Sequence, residues 1–159
     1  MKIFFILFFV LSFSFVAKSQ SLIQIRDQFY RAQINEESAD SFYSKMQNVS
    51  ASASAIMIGY KGMSSFMLCN YSYNPYNKLK YFNEGKNLLD KAITMSSDNT
   101  ELRFLRYTIQ KNVPSFLGYS SNLVEDKQCV TKKISNEEFK MTDADLYRRI
   151  ANYLSSEKS

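Results

Sequence analysis

Apolar residues recur three and four positions apart along most of this chain and rarely alternate with polar ones, a periodicity that predicts helices almost throughout. Leu22, Ile25, Phe29 and Ala32 form the first stripe and predict a helix over Ser21 to Gln33. The second stripe is Ala39, Phe42, Tyr43 and Met46, entered through Asn35, with Glu36 and Glu37 where acids meet the positive end of a helix. Ser50 and Ser52 start a third helix whose broad face runs through Ile56, Tyr60, Met63 and Phe66 to Cys69, the most buried of the set. Gly59 and Gly62 lower helix propensity there by ~1 kcal/mol each relative to alanine, and close approach of a neighbouring helix accounts for them.

Asn74-Pro75 breaks the pattern, and a fourth helix follows from Asn77 to Met95 on Leu79, Phe82, Leu89, Ala92 and Ile93. Ser96-Ser97-Asp98 supplies a stop and a cap for a fifth helix, Asn99 to Asn112, carrying Leu102, Leu105 and Ile109. Pro114 to Ser120 reads as a loop with Phe116, Leu117 and Tyr119 folded inward; Ser121 caps a sixth helix ending at Lys133. Ser135 to Met141 is polar and has no assignment. Thr142 begins a last helix, with Asp143 and Asp145 in its first turn and Leu146, Ile150 and Leu154 on its stripe. The predicted fold is all-α, six or seven helices paired as antiparallel hairpins.

One stretch departs from amphipathic periodicity. Lys2 precedes a 14-residue apolar run, Ile3 to Val16, with six phenylalanines, and Ala17-Lys18-Ser19 then places small residues at the last and third-last positions before Gln20. That is the pattern of a cleavable signal peptide over 1–19, too short for a spanning helix. The expectation is an exported protein, periplasmic or secreted, whose mature part, 20–159, is a single helical domain with no membrane span. The leader carries two of the twenty basic residues and none of the fifteen acids, so the formal charge changes from +5 to +3 on its removal. Basic residues are dispersed among acids, with Lys132-Lys133 and Arg148-Arg149 as adjacent pairs, which speaks against a nucleic-acid-binding stripe or a membrane-surface helix.

Four glycines and two prolines leave little turn chemistry for a many-stranded fold. The absence of histidine removes the usual general base and the commonest zinc and copper ligand, so no metal, no cofactor and no enzymatic activity are expected. Cys69 and Cys129 permit one disulfide in an oxidising compartment, which would contribute about 4 kcal/mol through chain entropy. Two separate buried thiols are the alternative.

The segment from Gly85 through Leu89 and Ala92 to Ser97-Asp98-Asn99 resembles the second helix and exit turn of a tetratricopeptide repeat. Gly85 and Ala92 match the two small positions, seven apart, at which that family's paired helices approach, and Leu89 matches the large position between them. The resemblance covers about one half-repeat and implies a degenerate tetratricopeptide-like array, hence binding of a protein or peptide along a groove between hairpins.

Three constellations carry candidate chemistry. On the fifth helix Arg103, Arg106 and Tyr107 flank the apolar stripe, and Arg106 borders it, where a planar donor fork suits a carboxylate such as a peptide terminus. An interhelix ion pair is the competing reading for that arginine. Tyr71, Tyr73, Tyr76, Lys78, Lys80 and Tyr81 form an aromatic-basic stretch able to stack on sugars or bases. Glu36-Glu37, Glu125-Asp126 and Asp143 with Asp145 are carboxylate pairs, and they carry the alternative function: a hydrolase acting on envelope or extracellular polysaccharide.

Overall fold

The computed structural model describes residues 22–157, and all of the elements below lie there; the leader 1–19 falls outside the described residues. Eight helices and no strand occur among the described residues: α1 over 22–32, α2 Glu36–Gln47, α3 Ala55–Tyr71, α4 Pro75–Met95, α5 Thr100–Asn112, α6 Leu123–Ile134, α7 Glu137–Thr142 and α8 Ala144–Ser156. A single 3₁₀ turn, Ser115–Leu117, follows α5. No helix among them is long and apolar enough to cross a membrane.

Asparagine side chains cap four of the eight helices, because the side-chain oxygen accepts one of the backbone N–H groups that have no partner in a first turn. Asn35 accepts from Ser38 N at 2.9 Å, Asn99 from Leu102 N at 3.0 Å and Asn136 from Glu138 N at 2.7 Å. Asn74 accepts from Tyr76 N at 2.9 Å, and Pro75 fills the first helical position, where a missing N–H costs nothing. Predicted starts move accordingly: α4 begins at Pro75 and not Asn77, and α6 begins at Leu123 after Asn122, without the Ser121 cap. Asn99, not the preceding Ser-Ser-Asp run, caps α5. Asp143, not Thr142, caps α8, since the Thr142 hydroxyl donates back to the Glu138 carbonyl at 2.9 Å and closes α7. Ser50 and Ser52 likewise spend their groups in a turn, with Ser52 N donating to Ser50 Oγ at 3.2 Å, so α3 begins at Ala55.

The tightest junction is that of α3 with α4, and two glycines create it. A Cβ on Gly62 would lie 2.8 Å from the Gly85 carbonyl oxygen and 3.0 Å from the Leu89 backbone nitrogen; one on Gly85 would lie 2.9 Å from the Gly62 oxygen and from the Phe66 ring. Backbone cannot yield there as a side-chain end can. Gly59 faces Leu102 of α5 instead, so α3 is pressed on two sides, and its buried residues, from Ile58 to Leu68, cover nearly its whole circumference. This packing joins α1 to α5 in one apolar cluster around Phe29, Phe42, Met63, Leu89 and Leu102. A second, smaller cluster of Phe104, Val130, Phe139, Leu146 and Ile150 lies where α5 meets α6, α7 and α8.

Arg26 crosses between these regions. Its Nε and Nη2 donate to Glu101 at 2.6 and 2.8 Å, and Nη1 and Nη2 donate to Asp143 at 3.0 and 2.7 Å, tying α1 to α5 and to the start of α8. The guanidinium is 3 % exposed. Burial alone would disfavour its charge, but the hydrogen bonds it donates to Glu101 and Asp143 outweigh that and raise its pKa. The Tyr60 hydroxyl completes the set by donating to Glu101 at 2.6 Å, its own pKa raised by burial and by that carboxylate.

Candidate functional site

A cleft of about 810 Å³ opens where the α3–α4 hairpin and α5 diverge. Its inner end is formed by Phe29 and Tyr30 of α1 with Met63, Phe66 and Met67 of α3. Leu79 and Phe82 of α4 form one wall; Leu105, Thr108 and Ile109 of α5 form the other. Edge-to-face contacts hold this surface in shape, Phe66 with Phe82 at 5.7 Å between centroids and Phe82 with Tyr119 at 6.0 Å. Such a volume, with mostly apolar walls and a few polar groups at the edge, is typical of a ligand site.

The polar lining residues are three carboxamides, one amine and the hydroxyl-bearing Tyr30, Thr108 and Tyr153. Gln33, Asn70 and Asn112 line the edge, and Lys78 is the one charged residue among the lining residues. A carboxamide offers a donor and an acceptor side by side, which matches the N–H and C=O of a peptide backbone. Asn112 Nδ2 is engaged with the Thr108 carbonyl at 2.7 Å and Tyr153 at 3.2 Å. Cys69 also lines the cleft as a free, half-buried thiol whose pKa burial pushes up, which makes it a poor nucleophile at neutral pH.

At the mouth stands Phe116. It is 84 % exposed, whereas Tyr119 is buried with its hydroxyl donating to Asp90 at 2.8 Å and Leu117 is half-buried. Of the three loop residues expected to fold inward, Phe116 therefore points out. Gly118, with φ of 61°, reverses the chain after the 3₁₀ turn and lets Tyr119 turn in while Phe116 stays outside.

Arg103, Arg106 and Tyr107 do not line the cleft; they join α5 to α6 and to the end of α8. Arg106 grips Asp126 through Nε at 2.6 Å and Nη2 at 2.9 Å, and Arg103 Nη1 reaches Asp126 at 2.9 Å and Glu125 at 2.6 Å. The Asp126 side chain is 0 % exposed. The planar fork of Arg106 has met a carboxylate, as its position predicts, but the carboxylate belongs to this chain. Tyr107 is buried with its hydroxyl on Glu157. Cys69 on α3 and Cys129 on α6 are separate, half-buried thiols, so the bridge allowed by their number is not formed.

The aromatic-basic stretch divides in the fold. Tyr73 and Tyr76 are exposed, Tyr71 donates to the Gln33 carbonyl at 2.9 Å, and Tyr81 packs edge-on against Tyr43 at 5.6 Å. Two of the acidic pairs, Glu125-Asp126 and Asp143 with Asp145, are bound by arginine, whereas Glu36 and Glu37 are exposed in the first turn of α2. Asp145 accepts from Arg149 at 2.8 Å and from Arg148 at 3.0 Å; burial works against its charge, but the Arg149 hydrogen bond prevails and lowers its pKa. The Arg103 hydrogen bond lowers that of Glu125. Glycoside hydrolysis needs one of two facing acids raised toward neutrality, and Asp145 and Glu125 are displaced the other way. Among the described residues, no group of three or more His, Cys, Asp or Glu is placed to hold a metal ion.

Sequence periodicity missed the Arg26–Glu101–Tyr60 network, although a signal existed: Arg26, four residues after Leu22 and three before Phe29, sits inside the first apolar stripe. The chain matches no protein-family model, no curated protein and no solved structure.

Proposed function

We propose that this chain is an exported, non-enzymatic helical module that binds an apolar segment of a protein or peptide partner in the cleft between its hairpins. The observation that carries the reading is the cleft itself, about 810 Å³ of mostly apolar lining with carboxamides at its edge and Leu79 and Phe116 left exposed beside it. Large apolar side chains at the edge of a concave apolar surface are a feature of binding sites. The resemblance to a tetratricopeptide repeat is supported by Gly85, Leu89 and Ala92, all buried, and by the contact of Gly85 with α3. Export is supported by the leader pattern in 1–19.

Selection of peptides from a random library against the mature chain tests the proposal. The expected outcome is a consensus of aromatic or branched aliphatic residues, whose affinity falls at least tenfold in Leu79→Glu/Phe116→Glu. Both positions are exposed, so the variant keeps its fold. Peptides without consensus, or affinity unchanged in the double variant, would overturn it. The polysaccharide hydrolase remains the contrasting outcome, and release of reducing ends from an envelope glycan by the purified chain would favour it instead.

A further inference from the structure

Outside the cleft, on the α5–α6 face, the Glu157 carboxylate is enclosed by three donors from two other helices. Tyr107 Oη lies 2.7 and 2.9 Å from its two oxygens, Lys111 Nζ 2.5 Å from one and Lys127 Nζ 3.2 Å from the other. Lys127 also lies over the Tyr107 ring, 5.7 Å from its centroid, which holds the ammonium beside the hydroxyl. Glu157 is the first residue beyond α8, yet its side chain is only 9 % exposed, while both lysines remain open to water. The clamp thus buries the carboxylate and keeps an accessible outer side.

That outer side adjoins a depression of about 750 Å³ along α6, walled by Leu123, Val124, Gln128, Thr131 and Lys132. Its lining, with the three donors of the clamp, contains three lysines, and the one acid beside it is Glu157, held by two of them; Val124 is largely exposed there. Arg103 and Arg106 are committed to Asp126 and contribute no free charge. A single inorganic anion would fill a small part of such a space; an acidic peptide with an apolar neighbour would fill more and would meet both chemistries of the lining.

We infer that the α5–α6 face is a second binding site, for an acidic peptide segment with an apolar residue beside its carboxylate, and that Glu157 fills the clamp in cis until such a segment displaces it. A site occupied by its own chain nine-tenths of the time binds a competitor about tenfold more weakly than the vacant site. Glu157→Gln removes the competing charge and leaves α8 its length. The probe is an acetylated Leu-Glu-Glu-Leu amide, titrated into the ¹⁵N-labelled mature chain.

Binding about tenfold tighter to Glu157→Gln than to the parent, with shifts confined to 107–111 and 123–135, is the expected result, and Lys111→Ala/Lys127→Ala in the same background should abolish the gain. Equal binding by parent and Glu157→Gln would overturn the inference. So would retention of tight binding without the lysines, equal binding of the Leu-Lys-Lys-Leu counterpart, or saturation by inorganic phosphate at the same concentration. Should Glu157→Gln fail to fold, the parent decides the matter with excess probe: movement of the Glu157 carboxyl ¹³C resonance supports displacement, and its constancy while the probe binds contradicts it.

Discussion

Nineteen apolar residues are buried together where α1 to α5 pack, against five where α5 meets α6, α7 and α8, and charge is distributed the opposite way. Every ion pair between helices of the described residues has at least one partner on α5, on α6 or within 143–157. The first region therefore rests mostly on close packing, crossed by the buried Arg26–Glu101 pair, and the second more on carboxylates that must stay ionised. The cleft belongs to the first region, where the α3–α4 hairpin and α5 diverge, and of its lining only Phe104 and Tyr153 reach the second.

The largest effect should come from the packed region. Gly62→Leu drives a side chain into the Gly85 carbonyl and the Leu89 backbone, neither of which can rotate away, and should cost about 3 kcal/mol or more, at the upper end of overpacking. Calorimetry should show Tm lower by roughly 10 °C. Gly118→Ala tests another glycine chemistry, a positive φ with no neighbour within 4 Å, and should cost only about 1 kcal/mol.

Charge at the junction comes next. Arg26→Met leaves Glu101 buried beside Tyr60 with its main counter-charge gone, a loss of about 3 kcal/mol by chemical denaturation. Arg26→Met/Glu101→Met should recover most of it, because removing both charges also removes their desolvation. If the double variant is as unstable as the single one, the network matters through shape and not through charge.

Acid should separate the two regions with the smallest perturbation. Asp145, Glu125 and Glu157 hold their protons less tightly in the folded chain than in the unfolded one, so unfolding takes up protons and stability rises with pH through the carboxylate range. The contribution is complete above about pH 4.5 and disappears as pH falls below the usual carboxylate values near 4. Hydrogen exchange at pH 3 should show α6 and α8 losing protection before α3 and α4. Loss of protection in all four helices together would contradict the division.

Helix content was legible because its cause is local: stripes such as Leu22, Ile25, Phe29 and Ala32 need only their own spacing, and Asn35 caps where it stands, whereas Asn74, read only as a break, is the cap of a helix that begins at Pro75 and not Asn77. α7 was not legible, since six residues are too few for a period to register. The pairing of Gly62 with Gly85 was half legible, as glycine inside a helix announces a close neighbour without naming it. Arg106 was read as offering its fork to a carboxylate in a groove, with an interhelix ion pair as the competing reading; the carboxylate it meets, Asp126, lies on the next helix and looked like an ordinary first-turn acid. Glu101 is the hardest case: 75 residues separate it from Arg26, and only the folded chain brings them together. The cleft also belongs to that class, because a surface left uncovered depends on where every helix ends.

Occupancy of the cleft is tested most directly by mapping a library-selected apolar peptide onto the ¹⁵N-labelled mature chain. The account predicts saturable shifts at Met67, Asn70, Leu79, Thr108 and Asn112, on both walls at once, with α2 unmoved. Shifts restricted to α2 or to the outer face of α6, with the cleft residues silent at saturation, would contradict it.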